Sequence, residues 1–155
     1  MRRKDREIES REEVINVLKR CNTVSVGFQG QEYPYVVPVS FGVVQKDGVL
    51  TLYFHGAPKG LKNDMLEKNP KVCVQGHIFY RTEPTPRGIT TRYESVIGFG
   101  VAQKADGDEA VVGLRSITEH YGYPGYSVEQ CRGLAATAVY KITIEQLTGK
   151  RNLPE

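Results

Sequence analysis

A chain of 155 residues, 39% hydrophobic and 25% charged, fits one domain over 1–155 with a real core and is too apolar for a disordered segment. Its formal net charge of +3 is too small to recruit nucleic acid by electrostatics alone, and no apolar run approaches the ~20 residues needed to span a bilayer. The first residues lack the apolar stretch of a secretion signal, and Cys21, Cys73 and Cys131 form no C-x-x-C pair, so a cytoplasmic protein with small, buried thiols is expected.

The basic run Met1-Arg2-Arg3-Lys4 is followed at once by Asp5, Glu7 and Glu9 and reads as a solvated end. Ser10-Arg11-Glu12-Glu13 is a capping-box pattern. With Val14, Ile15, Leu18 and Cys21 at helical spacing, it predicts a helix over 11–21. Val24, Val26 and Phe28 alternate, a strand signal over 23–28, and Gln29-Gly30-Gln31 is a turn. The β-branched run 35–44 predicts one strand. Pro38 inside it has no N–H to give a ladder and marks an edge or a locally opened stretch. Asp47-Gly48 is a tight hairpin turn leading into a strand over 49–55.

A short helix is expected over 61–68, stopped by Asn69-Pro70. A strand over 71–80 follows, then a loop over 81–88 holding two prolines. The strand over 90–103 contains Gly98-Phe99-Gly100, a pattern that marks a bulge or a close backbone approach. A helix over 108–121, a loop over 121–126, a helical turn over 127–132 and a last strand over 137–147 complete the chain. Hairpins and short connections do not suit the repeated crossovers of a doubly wound sheet. The expected fold is mostly β with helices, an antiparallel barrel with helices packed outside.

The common catalytic signatures are missing: no phosphate-binding G-x-x-x-x-G-K, no dinucleotide G-x-G-x-x-G after a strand, no H-E-x-x-H and no G-x-S-x-G. With only His55, His77 and His120, no metal site is expected. One stretch stands out: a strand ends at His55, the turn Gly56-Ala57-Pro58 follows, and a helix begins at Lys59-Gly60-Leu61-Lys62. Free N–H groups and the helix dipole favour an anion at such a start. Lys59 and Lys62 add charge, and Gly60 lets the backbone approach. Strand-turn-helix with two lysines is common, however, and alone it does not establish a phosphate site.

The run Tyr33-Pro34-Tyr35-Val36-Val37-Pro38-Val39-Ser40-Phe41-Gly42, followed by Leu52-Tyr53-Phe54-His55-Gly56-Ala57 and Lys59-Gly60-Leu61-Lys62, resembles the FMN-binding split-barrel family related to pyridoxamine 5'-phosphate oxidase. Within it the chain is most similar to the nitroimidazole-reductase branch, whose following strand resembles Thr91-Arg92-Tyr93-Glu94-Ser95-Val96-Ile97-Gly98-Phe99-Gly100. The opening 1–8 and the closing 144–152 are similar to it too, so the resemblance covers nearly the whole chain. It implies an FMN-binding split β-barrel acting as a homodimer, with the FMN sites at the subunit interface. Carried over by position, Val36, Val37, Pro38 and Val39 line the isoalloxazine through backbone groups. His55 stands beside the ring as the catalytic candidate, Lys59, Gly60 and Lys62 hold the phosphate, and Tyr93 and Ser95 complete the site. On residue type alone, Val36, Val37 and Val39 serve equally as barrel core, Tyr93 as a stacking partner there, and His55 as a satisfied strand-end histidine.

Two positions depart from the family pattern. Gly56 stands where a serine follows the histidine, and Leu61 where an arginine precedes the phosphate lysine. Each lost contact to a charged group is worth ~1.5–3 kcal/mol, so weaker FMN binding is expected unless Lys59 compensates. The chain also ends soon after its last strand, without the longer C-terminal section that carries substrate-phosphate arginines, so true pyridoxamine-phosphate oxidase activity is not expected. The resemblance implies an oxidoreductase acting on a small-molecule substrate, an organic acceptor. The alternative is a non-catalytic protein that binds or senses flavin, or holds haem or a deazaflavin on the same barrel. Neither a nucleic-acid nor a membrane partner is expected.

Overall fold

The computed structural model describes residues 3–130, 133 and 136–154. Helix α1 (Arg11–Arg20) starts as its capping pattern requires: the Ser10 hydroxyl accepts the Glu13 N–H at 3.3 Å. The reciprocal half of the box is not used, because the Glu13 carboxylate pairs with Arg151 at 3.3 Å instead. Val14, Ile15, Val17 and Leu18 are buried on one face of α1. Arg3 and Lys4 ahead of it are exposed, as expected of a solvated end, and order begins a few residues later. Strand β1 (Glu7–Ile8) pairs with the last strand opposite Gly149 and Lys150, and Ile8 is buried.

Strands β2 (Val24–Phe28), β3 (Tyr35–Val39), β4 (Phe41–Lys46) and β5 (Val49–Gly56) follow, then helix α2 (Leu61–Lys68). The long pair β6 (Lys71–Thr85) and β7 (Gly88–Ala105), helix α3 (Gly107–His120) and strand β8 (Ala138–Asn152) complete the fold. Every strand pair is antiparallel, and the sheet runs β3-β2-β6-β7-β8-β5-β4. The expected single strand over 35–44 is therefore two. Its halves lie at opposite ends of the sheet with only Ser40 between them, so the sheet must curl round until its ends meet. This is the split barrel. Pro38 sits on the edge strand β3, where a missing N–H costs little.

The expected loop over 81–88 is instead the outer part of the β6–β7 hairpin, which turns at Pro86-Arg87 and pairs down to Thr85 opposite Gly88. The prolines misled because β2 covers β6 only from Val72 to Gln75. Beyond that, no strand among the described residues covers the second edge of β6, so the missing N–H of Pro84 interrupts no ladder there. Glu83 pairs with Arg81 beside it and with Arg92 across the hairpin at 2.6 Å. The last strand also runs past the expected Leu147 to Asn152. The turn after α3 is a short 3-10 segment, Val128–Gln130, and the rest of the expected 127–132 turn, with Cys131, lies outside the described residues.

Phe41, Leu50, Leu52, Phe54, Val26 and Ile142 fill the barrel, and α1 closes one end. α3 lies outside, against β4 and β5, where glycine permits direct contact. A Cβ on Gly42 would stand 2.3 Å from the Ser116 carbonyl carbon, and one on Gly113 would stand 2.6 Å from the Tyr53 ring. His120 is structural: Nε2 donates to the Cys21 carbonyl at 2.9 Å, and the ring packs on Phe41 at 4.3 Å. At the glycine step of β7 the extra residue is on the partner strand, Glu145 of β8, and Gly100 permits the close approach: a Cβ there would stand only 2.2 Å from the Thr143 carbonyl oxygen.

Candidate functional site

Strand alternation divides the residues expected to face a cofactor. Val37 packs against the core and Val39 is buried, whereas Val36 and Pro38 point outward. β3 is bonded only to β2, so along its free edge alternate backbone groups face away from the sheet. The β4–β5 register pairs Phe41 with Phe54. Continued by one residue, it sets Ser40 beside His55. Two motifs far apart in sequence, Val36–Val39 and His55–Lys62, thus border one split. The His55 side chain is exposed and makes no hydrogen bond among the described residues.

Beside the split, Gly60 opens α2 at φ +134°, a conformation suited to glycine, with no side-chain cap. Asn63 and Asp64 donate back to the Gly60 carbonyl at 2.9 and 3.2 Å, so the N–H groups ahead of them have no partner in the helix ladder. The Lys62 ammonium lies over Gly56, 3.2 Å from where a Cβ would stand. Gly56 therefore makes room for this ammonium. Asn63 braces the turn by accepting from the Tyr140 hydroxyl and donating to the Ala57 carbonyl at 3.4 Å. Among the described residues neither Lys59 nor Lys62 has an ion-pair partner. Two unpaired ammonium groups, an uncapped helix start and a glycine fit a phosphate, with Asp64 as the one opposing charge in the first turn.

A recess of about 520 Å³ lies on the outward face of the sheet around Gly27, Val36, Cys73, Gln75 and Phe99. It falls in the ~300–1,000 Å³ range of small-molecule sites. Of the sequence-expected residues only Val36 lines it; His55, Lys59, Gly60 and Lys62 do not. Tyr93 and Ser95 lie on the same outward face, with Ser95 opposite His77 and Lys150, and Tyr93 opposite Phe79 and Asn152. They are not beside His55. That residue pairs with Val139, and from Val139 to Lys150 is roughly 35 Å along β8 at ~3.3 Å per residue.

Gly27 and Gln75 were not singled out from sequence, and His77 and Phe99 were noted only among the histidines and in the glycine step, not as facing a recess. Their signal is the small or polar alternation Ser25, Gly27 on β2 and Cys73, Gln75, His77 on β6, at positions facing away from the core. Cys73 is correspondingly half-buried, where a buried thiol was expected. At the closed end of the barrel, Glu94 is buried, receives Arg20 Nη2 and the Tyr80 hydroxyl at 2.6 Å each, and raises the pKa of both partners through those hydrogen bonds. Burial pushes the adjacent Cys21 thiol up to about 11, an inert sulfur. Among the described residues, no three His, Cys, Asp or Glu side chains group to hold a metal, and no helix is long and apolar enough to cross a membrane.

The curled antiparallel sheet, split between β3 and β4 and flanked by an anion-ready helix start, defines an FMN-type split barrel. The family model for pyridoxamine 5'-phosphate oxidase matches residues 10–151, and the chain belongs to that family. Among solved structures it is similar to a candidate 5-nitroimidazole antibiotic resistance protein of Bacteroides thetaiotaomicron, with 28% identity, TM-score 0.81, and coverage of 93% of this chain and 85% of that one. A flavocytochrome of Azotobacter vinelandii (20%, TM-score 0.80, 99% and 72%) and an FAD- and haem-binding protein of Mycobacterium smegmatis (21%, TM-score 0.77, 97% and 76%) share the fold. No curated protein matches the chain.

Proposed function

We propose that the protein is a flavin-dependent oxidoreductase that binds FMN at the split between β3 and α2 and acts on a small organic acceptor. The observation that carries this reading is the α2 start, where Lys59, Gly60 and Lys62 present unpaired charge and backbone donors a few residues beyond His55, which the β4–β5 register sets beside Ser40 at the end of β3. These three residues would hold the phosphate, and the backbone of Val36, Val37, Pro38 and Val39 would meet the ring. The bound flavin would supply the electron transfer. His55, with a free imidazole at the strand end, would orient the acceptor or pass it a proton. The similarity to a candidate nitroimidazole-resistance protein favours a nitroaromatic as the test acceptor.

The outward sheet face also carries Val36 at 58% exposure, Phe99 at 49% and Ile97 at 43%. Such a face suits a second copy of the chain. In a homodimer with its sites at the interface, Tyr93 and Ser95 would be supplied to each site by the other copy. Sedimentation of a dimer that Phe99→Asp converts to monomer supports this; a monomeric parent overturns it. For the activity, the FMN-loaded protein is given a reduced nicotinamide and a nitroaromatic. Steady turnover that falls at least tenfold in His55→Ala supports the reading. Failure with every donor tried, in a protein that retains FMN, leaves flavin binding or sensing in its place. Two structures of the same fold, one described as a flavocytochrome and one as binding FAD and haem, make haem the second cofactor to test. A haem absorption band and no flavin would favour it, with the exposed His55 and His77 as candidate axial ligands and His120 held instead by the Cys21 carbonyl.

A further inference from the structure

Strand alternation sends Ser25, Gln75 and His77 to the outward face, and the link from α1 to β2 brings Arg20, Asn22 and Thr23 to the same place. These six polar side chains, rimmed by Ile78 and Phe79, enclose a second recess of about 290 Å³. Ser25 and Gln75 also line the 520 Å³ depression, so the two spaces share a wall. The smaller recess falls just below the ~300–1,000 Å³ of whole-ligand sites. It suits one polar group of a ligand whose apolar body lies next door, against Val36 and Phe99.

The donors in this recess are held in place. Arg20 is fixed from beneath, Nη2 donating to Glu94 at 2.6 Å and Nη1 to the Tyr80 hydroxyl at 3.1 Å. Among the described residues these are its only hydrogen bonds, so three of the five guanidinium N–H groups remain to meet a ligand. On the opposite wall the Gln75 amide lies 3.2 Å from His77 Nδ1. With the amide donating, the ring proton sits on Nε2 and is available. The Thr23 and Ser25 hydroxyls and the Asn22 amide add donors, and no carboxylate lines the space. Glu94 lies under Arg20 and offsets its positive unit, so the recess has no charge to balance a dianionic phosphate and holds a guest by its directed N–H and O–H donors. A planar carboxylate also matches the guanidinium fork.

We infer that this recess is the carboxylate subsite of the substrate, and that the substrate is a small monocarboxylic acid with a flat apolar body. The inference rests on the flavin reading only in taking the adjoining depression as the place of reaction. The test is a titration of the FMN-loaded, ¹⁵N-labelled protein with benzoate, using benzamide as an uncharged probe of the same shape. Benzoate should move the amide signals of Asn22, Thr23, Gln75 and His77 saturably, and benzamide should bind at least tenfold more weakly. Arg20→Lys keeps a cation over Glu94 but loses the outward fork, and His77→Ala removes an exposed side chain; each should weaken benzoate tenfold or more. The proposal is overturned if benzoate leaves those signals unmoved, if benzamide binds equally well, or if both folded variants bind like the parent. Repeating the titration without flavin separates the two readings. Benzoate in the recess of a protein that retains no FMN keeps the subsite and removes the flavin, whereas retained FMN with an unresponsive recess removes the subsite alone.

Discussion

Removing Arg20 should cost more stability than neutralising its partner, although the two form one ion pair. The asymmetry lies in their surroundings: the Arg20 side chain is 50% exposed and that of Glu94 only 5%. Arg20→Ala leaves a carboxylate inside the closed end of the barrel with the Tyr80 hydroxyl as its remaining partner. Breaking a buried pair in this way costs ~3–5 kcal/mol. Because water reaches the vacated side of the arginine, the lower end applies, about 3 kcal/mol. Glu94→Gln keeps an acceptor for Arg20, whose charge remains half in water, and should cost about 1 kcal/mol. For a chain of this length ~2–4 °C accompanies each kcal/mol. The melting temperature should therefore fall by roughly 6–12 °C in the first variant and 2–4 °C in the second. Urea unfolding with an unchanged denaturant slope gives the free energies directly. Equal losses, or a larger loss for Glu94→Gln, would refute the reasoning.

Gly42→Ala should destabilise by about 3 kcal/mol, the upper range for overpacking, because the new methyl meets the Ser116 backbone rather than a movable side chain; a thermal melt within 2 °C of the parent, on the ~2–4 °C per kcal/mol scale, would contradict the α3 packing. Mass-spectrometric mapping of iodoacetamide labelling at neutral pH should find Cys21 unmodified in the folded protein and modified in urea, since burial raises its thiol to about 11. Tyr80 is shifted up first by its hydrogen bond to Glu94 and then by burial, and Tyr53 and Tyr140 are shifted up by burial. The folded chain thus holds these phenolic protons where the unfolded chain has lost them. Their contribution to stability is complete below the ordinary tyrosine value of ~10 and is lost as pH rises through the raised values. A stability that rises with pH above 10 would have the wrong sign.

The architecture was legible because local signals agreed with the fold. Ser10, the Asp47-Gly48 turn, the helical stripe of α1 and the alternation of β2 each report a backbone need that one or two residues satisfy. Two features were not legible, for a shared reason: both depend on which strand lies alongside. Ser40 carries no break signal, and 35–44 becomes two strands only because β3 pairs with β2 while β4 pairs with β5. The prolines of 81–88 are tolerated because β6 is open on one side there. At the candidate site, sequence brought Lys59, Gly60 and Lys62 together because they share one turn. It did not reveal that Tyr93 and Ser95 stand far along β8 from His55, since that distance is set by strand length and register. The convergence of Arg20, Gln75 and His77 was not legible because it joins a helix end to the outward face of a strand, with no spacing that announces it.

The central claim is that this barrel holds FMN by the α2 start. It is tested most directly by the visible absorption spectrum of the purified protein after incubation with excess FMN and desalting, alongside Lys62→Ala treated identically. Removing one charge-assisted phosphate contact is worth ~1.5–3 kcal/mol, so affinity should fall by roughly 10- to 150-fold. The expected result is flavin absorbance retained by the parent and lost or sharply reduced in the variant, while riboflavin, which has no phosphate, binds both alike. A colourless parent, or a Lys62→Ala protein that retains FMN as well as the parent does, would contradict it.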